Sequence, residues 1–172
     1  MDVKADMKML KHGGFTLVEL MITVAILAIL AMVAVPNFGP FVQGGRMDTL
    51  QDRLVASLSL ARSEAISSRR SVTLCPRSDD VDSCGDDWGL GWSVIRDGTA
   101  IHVEEPPESG VSLSADRSIT FDTGGQVSAG TSCFTVSDGD ATTEDRYVQV
   151  LATGRLRSWD RDSEEDAVCG NG

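Results

Sequence analysis

The chain has 172 residues, 41% of them apolar and 24% charged, with a formal net charge of −11 at pH 7. That length gives one ordinary domain plus an appendage, and the apolar content excludes wholesale disorder. The acidity repels nucleic acid on average, so any contact with a polyanion has to come from a local basic patch.

The first element is an apolar run from Phe15 to Val35, 21 residues interrupted only by Glu19 and a few small or polar side chains. As a helix it would extend about 30 Å, the hydrocarbon thickness of a bilayer. All three lysines, Lys4, Lys8 and Lys11, precede it, and every cation beyond it is Arg. Lysines on that flank favour a cytoplasmic N-terminus, with the remainder of the chain outside the inner membrane. The run is longer than the core of a cleavable secretory signal, and Ala34 is followed by Val35 and Pro36, a poor cleavage context. A carboxylate left alone in lipid is costly, so Glu19 marks function rather than filler.

Next comes a stretch weakened for helix by Pro36, Gly39, Pro40, Gly44 and Gly45. Proline removes a helical hydrogen bond, which predicts a kink near Pro36. Periodicity then resumes. Leu50, Leu54, Leu58, Ala61, Ala65 and Ile66 fall at steps of four and three, one face of a helix. Arg46, Asp48, Asp52, Arg53, Arg62 and Glu64 line its other faces. The spacing predicts a helix from about residue 15 to 67 whose second half packs on a globular domain. The Arg69-Arg70 pair closes it, where cations suit the helix dipole.

From Ser71 the pattern turns to short β-type runs: residues 71–75, 91–103, 118–122, 132–137 and 147–159. Asp97-Gly98 is a strong hairpin signal, and Thr153-Gly154 reads as the turn of a last hairpin. Strands after a long helix predict an α+β fold, in which the helix covers one face of a C-terminal antiparallel sheet domain. Trp88 and Trp92 read as core residues.

Little of this pattern suits catalysis. Past residue 12 the sole histidine is His102, so no Ser or Cys finds a relay, and the cysteine spacings do not fit zinc. His102 reads as an ordinary strand residue; no enzyme activity, cofactor or metal is expected. Asp79, Asp80, Asp82, Asp86 and Asp87 resemble a calcium loop only in part. Cys84 and Gly91 stand where acidic ligands belong, so a solvated acidic loop is the better reading. Arg155 and Arg157 carry a sharper signal. Two residues apart on a strand, they project to one side and are placed to grip two phosphates. The acids that follow, Asp160, Asp162, Glu164, Glu165 and Asp166, are placed to neutralise them. A phosphate-binding pair and a salt-bridged hairpin turn, with Gly154 supplying the unusual backbone angle, both stay open.

Two sets of motifs resemble a known family. Gly14-Phe15-Thr16-Leu17-Val18-Glu19-Leu20 resembles the class III signal of type IV pilins and type II secretion pseudopilins. ARSEAISSRR (61–70), VTLCP (72–76), a second cysteine, WGLGW (88–92) and TGRLR (153–157) resemble the GspH/FimT-type minor pseudopilins, in that order. The resemblance implies a leader over 1–14, cut by a prepilin peptidase between Gly14 and Phe15, and N-methylation of Phe15. It implies a membrane half of the helix over 15–35, a periplasmic half over 36–69 and a globular β-rich domain over 70–172. Glu19 becomes fifth in the mature chain, where it would pair with the N-terminal ammonium of a neighbouring subunit. Two charges too costly alone in lipid are tolerable as a pair. The implied partners are other minor and major pilins or pseudopilins and an inner-membrane assembly platform. The filament is a type II secretion pseudopilus or a type IV pilus. Some FimT-like members are associated with DNA through a GRxR motif, which Gly154-Arg155-Leu156-Arg157 matches.

Cys75, Cys84, Cys133 and Cys169 all lie past the apolar run, and an even count in an exported domain predicts two disulfides. Cys75 with Cys84 would close a small loop, and Cys133 with Cys169 would pin the tail to the sheet. That is one of three pairings the sequence allows.

Overall fold

The computed structural model describes residues 15–140, 144–160 and 169, without the side chains of residues 33–38 and 40. The chain divides at Gly39 and Pro40 into two compact units. One helix, α1 (Leu17–Ser68), begins in the first and ends in the second. It runs unbroken through Pro36, Gly39 and Pro40, so proline does not end it here.

In the first unit Thr16 caps the helix. Its Oγ1 accepts the Glu19 backbone N–H at 3.2 Å, and its carbonyl accepts that of Leu20 at 3.1 Å. Such a cap satisfies donors that an uncapped helix start leaves orphaned. Every side chain from Phe15 to Met32 is exposed. Among the described residues no helix is long and apolar enough to cross a membrane. The expected span over 15–35 reaches past Met32 into positions whose side chains are not described. Gly14, with the rest of the expected leader, lies outside the described residues.

In the second unit α1 buries Met47, Leu50, Leu54, Leu58, Ala61 and Ala65. That is the expected stripe with two changes. Met47 joins it one turn earlier. Ile66 leaves it, 47% exposed, because one residue past Ala65 the helix has turned about 100° away from the core. The helix stops where Arg69 takes a left-handed backbone, φ 55°, so the basic pair lies beyond its last turn. Arg70 reaches Asp97 at 3.0 Å, an exposed pair of small energetic weight.

The strands are β1 (Val72–Pro76), β2 (Trp92–Arg96), β3 (Thr99–Glu104), β4 (Ser112–Ala115), β5 (Ile119–Phe121), β6 (Ser132–Ser137), β7 (Arg146–Val150) and β8 (Leu156–Asp160). They make two four-stranded antiparallel sheets, β3-β2-β1-β5 and β4-β6-β7-β8, where one sheet was expected. The sheets share one core with the helix: Val72, Leu74, Trp92, Val94, Ile119 and Phe121 from the first, Leu113, Phe134, Val136, Val148 and Val150 from the second. Trp88, in a 3₁₀ turn between β1 and β2, meets Phe134 edge to face at 5.2 Å. Both expected hairpins form. Asp97 and Gly98 both have positive φ, 53° and 76°, the geometry that matches the twist of paired strands.

The helix is fastened to the sheets by polar contacts around its apolar stripe. Arg46 bonds the Ser109 carbonyl at 2.9 Å, Asp48 accepts from Arg146 at 2.8 Å, and Glu64 pairs with Arg96. Arg53 lies over the Trp92 ring at 5.6 Å and donates from Nε to Glu104 at 3.0 Å. Of the three disulfide pairings, the structure holds Cys75–Cys84 and Cys133–Cys169, with Cα separations of 5.5 and 5.6 Å.

Candidate functional site

The first candidate site is the start of α1. Glu19 sits in the first helical turn, where a carboxylate is favoured by the helix dipole. Thr16 and Glu19 have the spacing of a capping box, a local signal carried by the sequence. The Glu19 side chain is exposed and has no partner among the described residues. Around it Phe15, Leu17, Val18, Leu20, Met21 and Ile22 are more than half exposed. The segment therefore offers one unneutralised carboxylate on an uncovered apolar helix.

The second is the turn before β8. Gly154 has φ 74° and is buried, and its N–H closes a tight turn onto the Leu151 carbonyl at 2.7 Å. A Cβ at Gly154 would strike the Gly125 carbonyl oxygen and come within 2.9 Å of Arg62 Nε. Only glycine fits there, for both dihedral and steric reasons. Leu156 turns inward against the core, and Arg155 and Arg157 flank it, both exposed. Arg155 has no ion-pair partner among the described residues. Of the acids expected to neutralise the pair, Asp160 engages Arg146 at 3.2 Å. Burial alone would lower the Arg146 pKa, but the hydrogen bond to Asp48 and the charge of Asp160 outweigh it and raise it. Arg161, Asp162, Glu164, Glu165 and Asp166 lie outside the described residues.

The third is His102 on β3. Its Nε2 meets Glu104 Oε1 at 3.1 Å, while the other oxygen of Glu104 takes Arg53. Burial would raise the Glu104 pKa, yet the bonds from Arg53 and His102 prevail and hold it below the ordinary carboxylate range. This is a helix-to-sheet tie. No nucleophile is hydrogen-bonded to His102 among the described residues. The acidic loop is likewise tied to backbone, its own and that of β3: Asp80 accepts the Asp82 N–H at 3.1 Å, Asp82 that of Ala100 on β3 at 2.6 Å, and Asp87 that of Gly89 at 2.8 Å. Among the described residues no group of acids, histidines or cysteines is arranged to hold a metal.

Sequence reasoning missed the supports of these sites. Arg53 and Arg62 read as residues of the helix's other faces, yet each donates to a carboxylate or carbonyl on an element far along the chain. A cation beside an otherwise apolar stripe was the available signal.

Comparison with known proteins agrees with this architecture. Residues 9–35 match the prokaryotic N-terminal methylation motif. Comparison with curated proteins gives no match. Two crystal forms of the type IV minor pilin FimU of Pseudomonas aeruginosa are similar in fold. One is 20% identical with a TM-score of 0.56, covering 72% of this chain and 98% of that one. The other is 21% identical with a TM-score of 0.53, covering 67% and 98%. The minor pseudopilin EpsH of the Vibrio cholerae type 2 secretion system is more distant, at 15% identity and a TM-score of 0.46 over 68% of this chain and 95% of that one. Residues 51–154, from the buried stripe of α1 through the Gly154 turn, match the family model described as type II transport protein GspH, and the chain belongs to that family.

Proposed function

We propose that this chain is a minor subunit of a type II secretion pseudopilus or type IV pilus, anchored in the inner membrane before it assembles. The observation that carries the reading is the uncovered apolar helix start with one unpartnered carboxylate, Glu19. Apolar side chains in such a row need lipid or other helices around them, and burying Glu19 there needs a cation. A prepilin peptidase cutting between Gly14 and Phe15 supplies that cation as a new N-terminus, which methylation leaves charged. Glu19 then sets the register against a neighbouring pilin or pseudopilin, at an inner-membrane assembly platform, with the globular domain in the periplasm. The test is co-purification of partner subunits with Glu19→Ala. The variant should insert and be processed normally but recover roughly tenfold less partner, as expected when one member of a buried pair is removed. Undiminished recovery would refute the register role.

A second reading adds to the first. Arg155 and Arg157 are both exposed, and Arg155 has no ion-pair partner among the described residues. That pair suits phosphates of DNA during uptake. Full-length protein in detergent should bind a short duplex at low salt and lose binding in Arg155→Ala/Arg157→Ala. Equal binding by both proteins would refute it.

A further inference from the structure

ARSEA on the helix and TGRLR before β8 are separate motifs in the sequence, 91 residues apart from Arg62 to Thr153, yet in space they are joined. Arg62 Nε donates to the Gly125 carbonyl at 3.2 Å, and Nη2 donates to the Thr153 carbonyl at 3.4 Å. The Gly125 turn is itself firmly held: Asp122 Oδ1 accepts the N–H groups of Gly124 at 2.8 Å and Gln126 at 2.9 Å. Val127 N–H then bonds the Ala152 carbonyl at 2.9 Å, which joins this turn to the one carrying Gly154. Helix, first turn and second turn thus meet around one guanidinium. A guanidinium suits the task because it is a rigid planar fork that can donate in two fixed directions, where an ammonium is a single point. No carboxylate pairs with Arg62 among the described residues, so its donors serve carbonyls.

We propose that Arg62 is a positioning residue for a phosphate-binding Arg155–Arg157 pair: it ties the Gly125 and Thr153 carbonyls together and so fixes the turn that carries Arg155 and leads into β8, where Arg157 lies. The proposal rests on the nucleic-acid reading above. Leu151 N–H bonds the Arg155 carbonyl at 2.9 Å, so the backbone that aims Arg155 is part of the clamped turn. If the turn relaxes, Arg155 loses its fixed place beside Arg157, which the pairing with Gln149 on β7 still holds, and has to be ordered again at the moment of binding.

The test uses the full-length chain in detergent with Arg62→Lys and Arg62→Met, read two ways. Hydrogen exchange of the amides of residues 151–156 reports the turn, and binding of a short DNA duplex reports the site. Both variants should speed exchange in that turn about tenfold, as loss of a charge-assisted bond predicts, while β2 and β3 keep their protection. Both should weaken duplex binding about tenfold, and either should add little to Arg155→Ala, because residues acting through one another are not additive. Unchanged exchange overturns the clamp. Recovery of binding by Arg62→Lys, which keeps the charge but not the fork, overturns positioning in favour of a simple charge effect. Failure of the unsubstituted protein to bind DNA overturns the nucleic-acid reading and the positioning role with it, and the exchange data still decide whether the clamp exists. Should Arg62→Met fail to fold, Gly154→Ala displaces the same turn by another route and should give the same pairing of fast exchange with weak binding.

Discussion

Gly98 and Gly154 have nearly the same backbone, φ 76° and 74°, but different surroundings. Nothing lies within 4 Å of a Cβ built on Gly98, while one on Gly154 runs into the Gly125 carbonyl. Alanine at either position takes the left-handed cost of about 1–2 kcal/mol, offset by about 0.4–1 kcal/mol of lost unfolded-chain freedom. Gly98→Ala should therefore destabilise by about 1 kcal/mol. Gly154→Ala must also push two turns apart. That breaks the Val127–Ala152 bond of 2.9 Å and the Arg62–Gly125 bond of 3.2 Å. At about 1 kcal/mol each the total reaches roughly 3 kcal/mol. For a unit of this size 1 kcal/mol moves Tm by about 3 °C, so the expected shifts are about 3 °C and about 9 °C. Thermal unfolding by circular dichroism of the two variants side by side measures both. Equal shifts would refute the contact argument, since the dihedral term is common to both.

Three further variants probe the helix-to-sheet tie and the two disulfides. Glu104 has its folded pKa lowered, because the Arg53 and His102 bonds outweigh burial. Its contribution is thus full above the unfolded value of about 4.3 and disappears as pH falls through the lowered folded one. Glu104→Gln should cost about 1–2 kcal/mol in urea unfolding at pH 7 and much less near pH 3; the same gap at both pH values would contradict the assignment. The Cys75–Cys84 and Cys133–Cys169 links span 9 and 36 residues. Loop-closure entropy gives about 2.6 and 3.8 kcal/mol respectively, so Cys133→Ser/Cys169→Ser should lower the urea midpoint more than Cys75→Ser/Cys84→Ser. The opposite order would show that the short loop does more than restrict the unfolded chain.

What was legible in the sequence is what local rules govern. The stripe Leu50, Leu54, Leu58, Ala61, Ala65 follows the helical repeat, and Asp97-Gly98 fits one turn type, so both were readable from neighbours alone. Ser112–Ala115 has none of the β-branched or aromatic residues that mark a strand. It is a strand because β6 pairs with it, Ser112 to Ser137 and Ala115 to Phe134, and no local rule reports that. The split into two sheets has the same origin: β1 pairs with β5 across the intervening β4. The unusual angle at Gly154 was readable, but its cause was not. The glycine is required by Gly125 and Arg62, neither of which is near it in the chain.

The same long-range pairings bear on the basic site proposed for so acidic a protein. Among the described residues, several acids are already committed. Asp48 and Asp160 face Arg146, Glu64 faces Arg96, Glu104 faces Arg53 and Glu108 faces Arg46. Asp80, Asp87 and Asp122 accept backbone N–H groups within their own turns. Beyond a Debye length of about 8 Å at physiological salt the remaining net charge is screened, so a polyanion responds to the turn it touches and not to the total. A site built on two arginines releases few counterions. The slope of log affinity against log salt should then be about −1.8, and it should flatten by about 0.9 in Arg155→Ala. A slope several times steeper would mean that cations elsewhere on the chain carry the contact, and the Arg155–Arg157 turn would lose its claim to it.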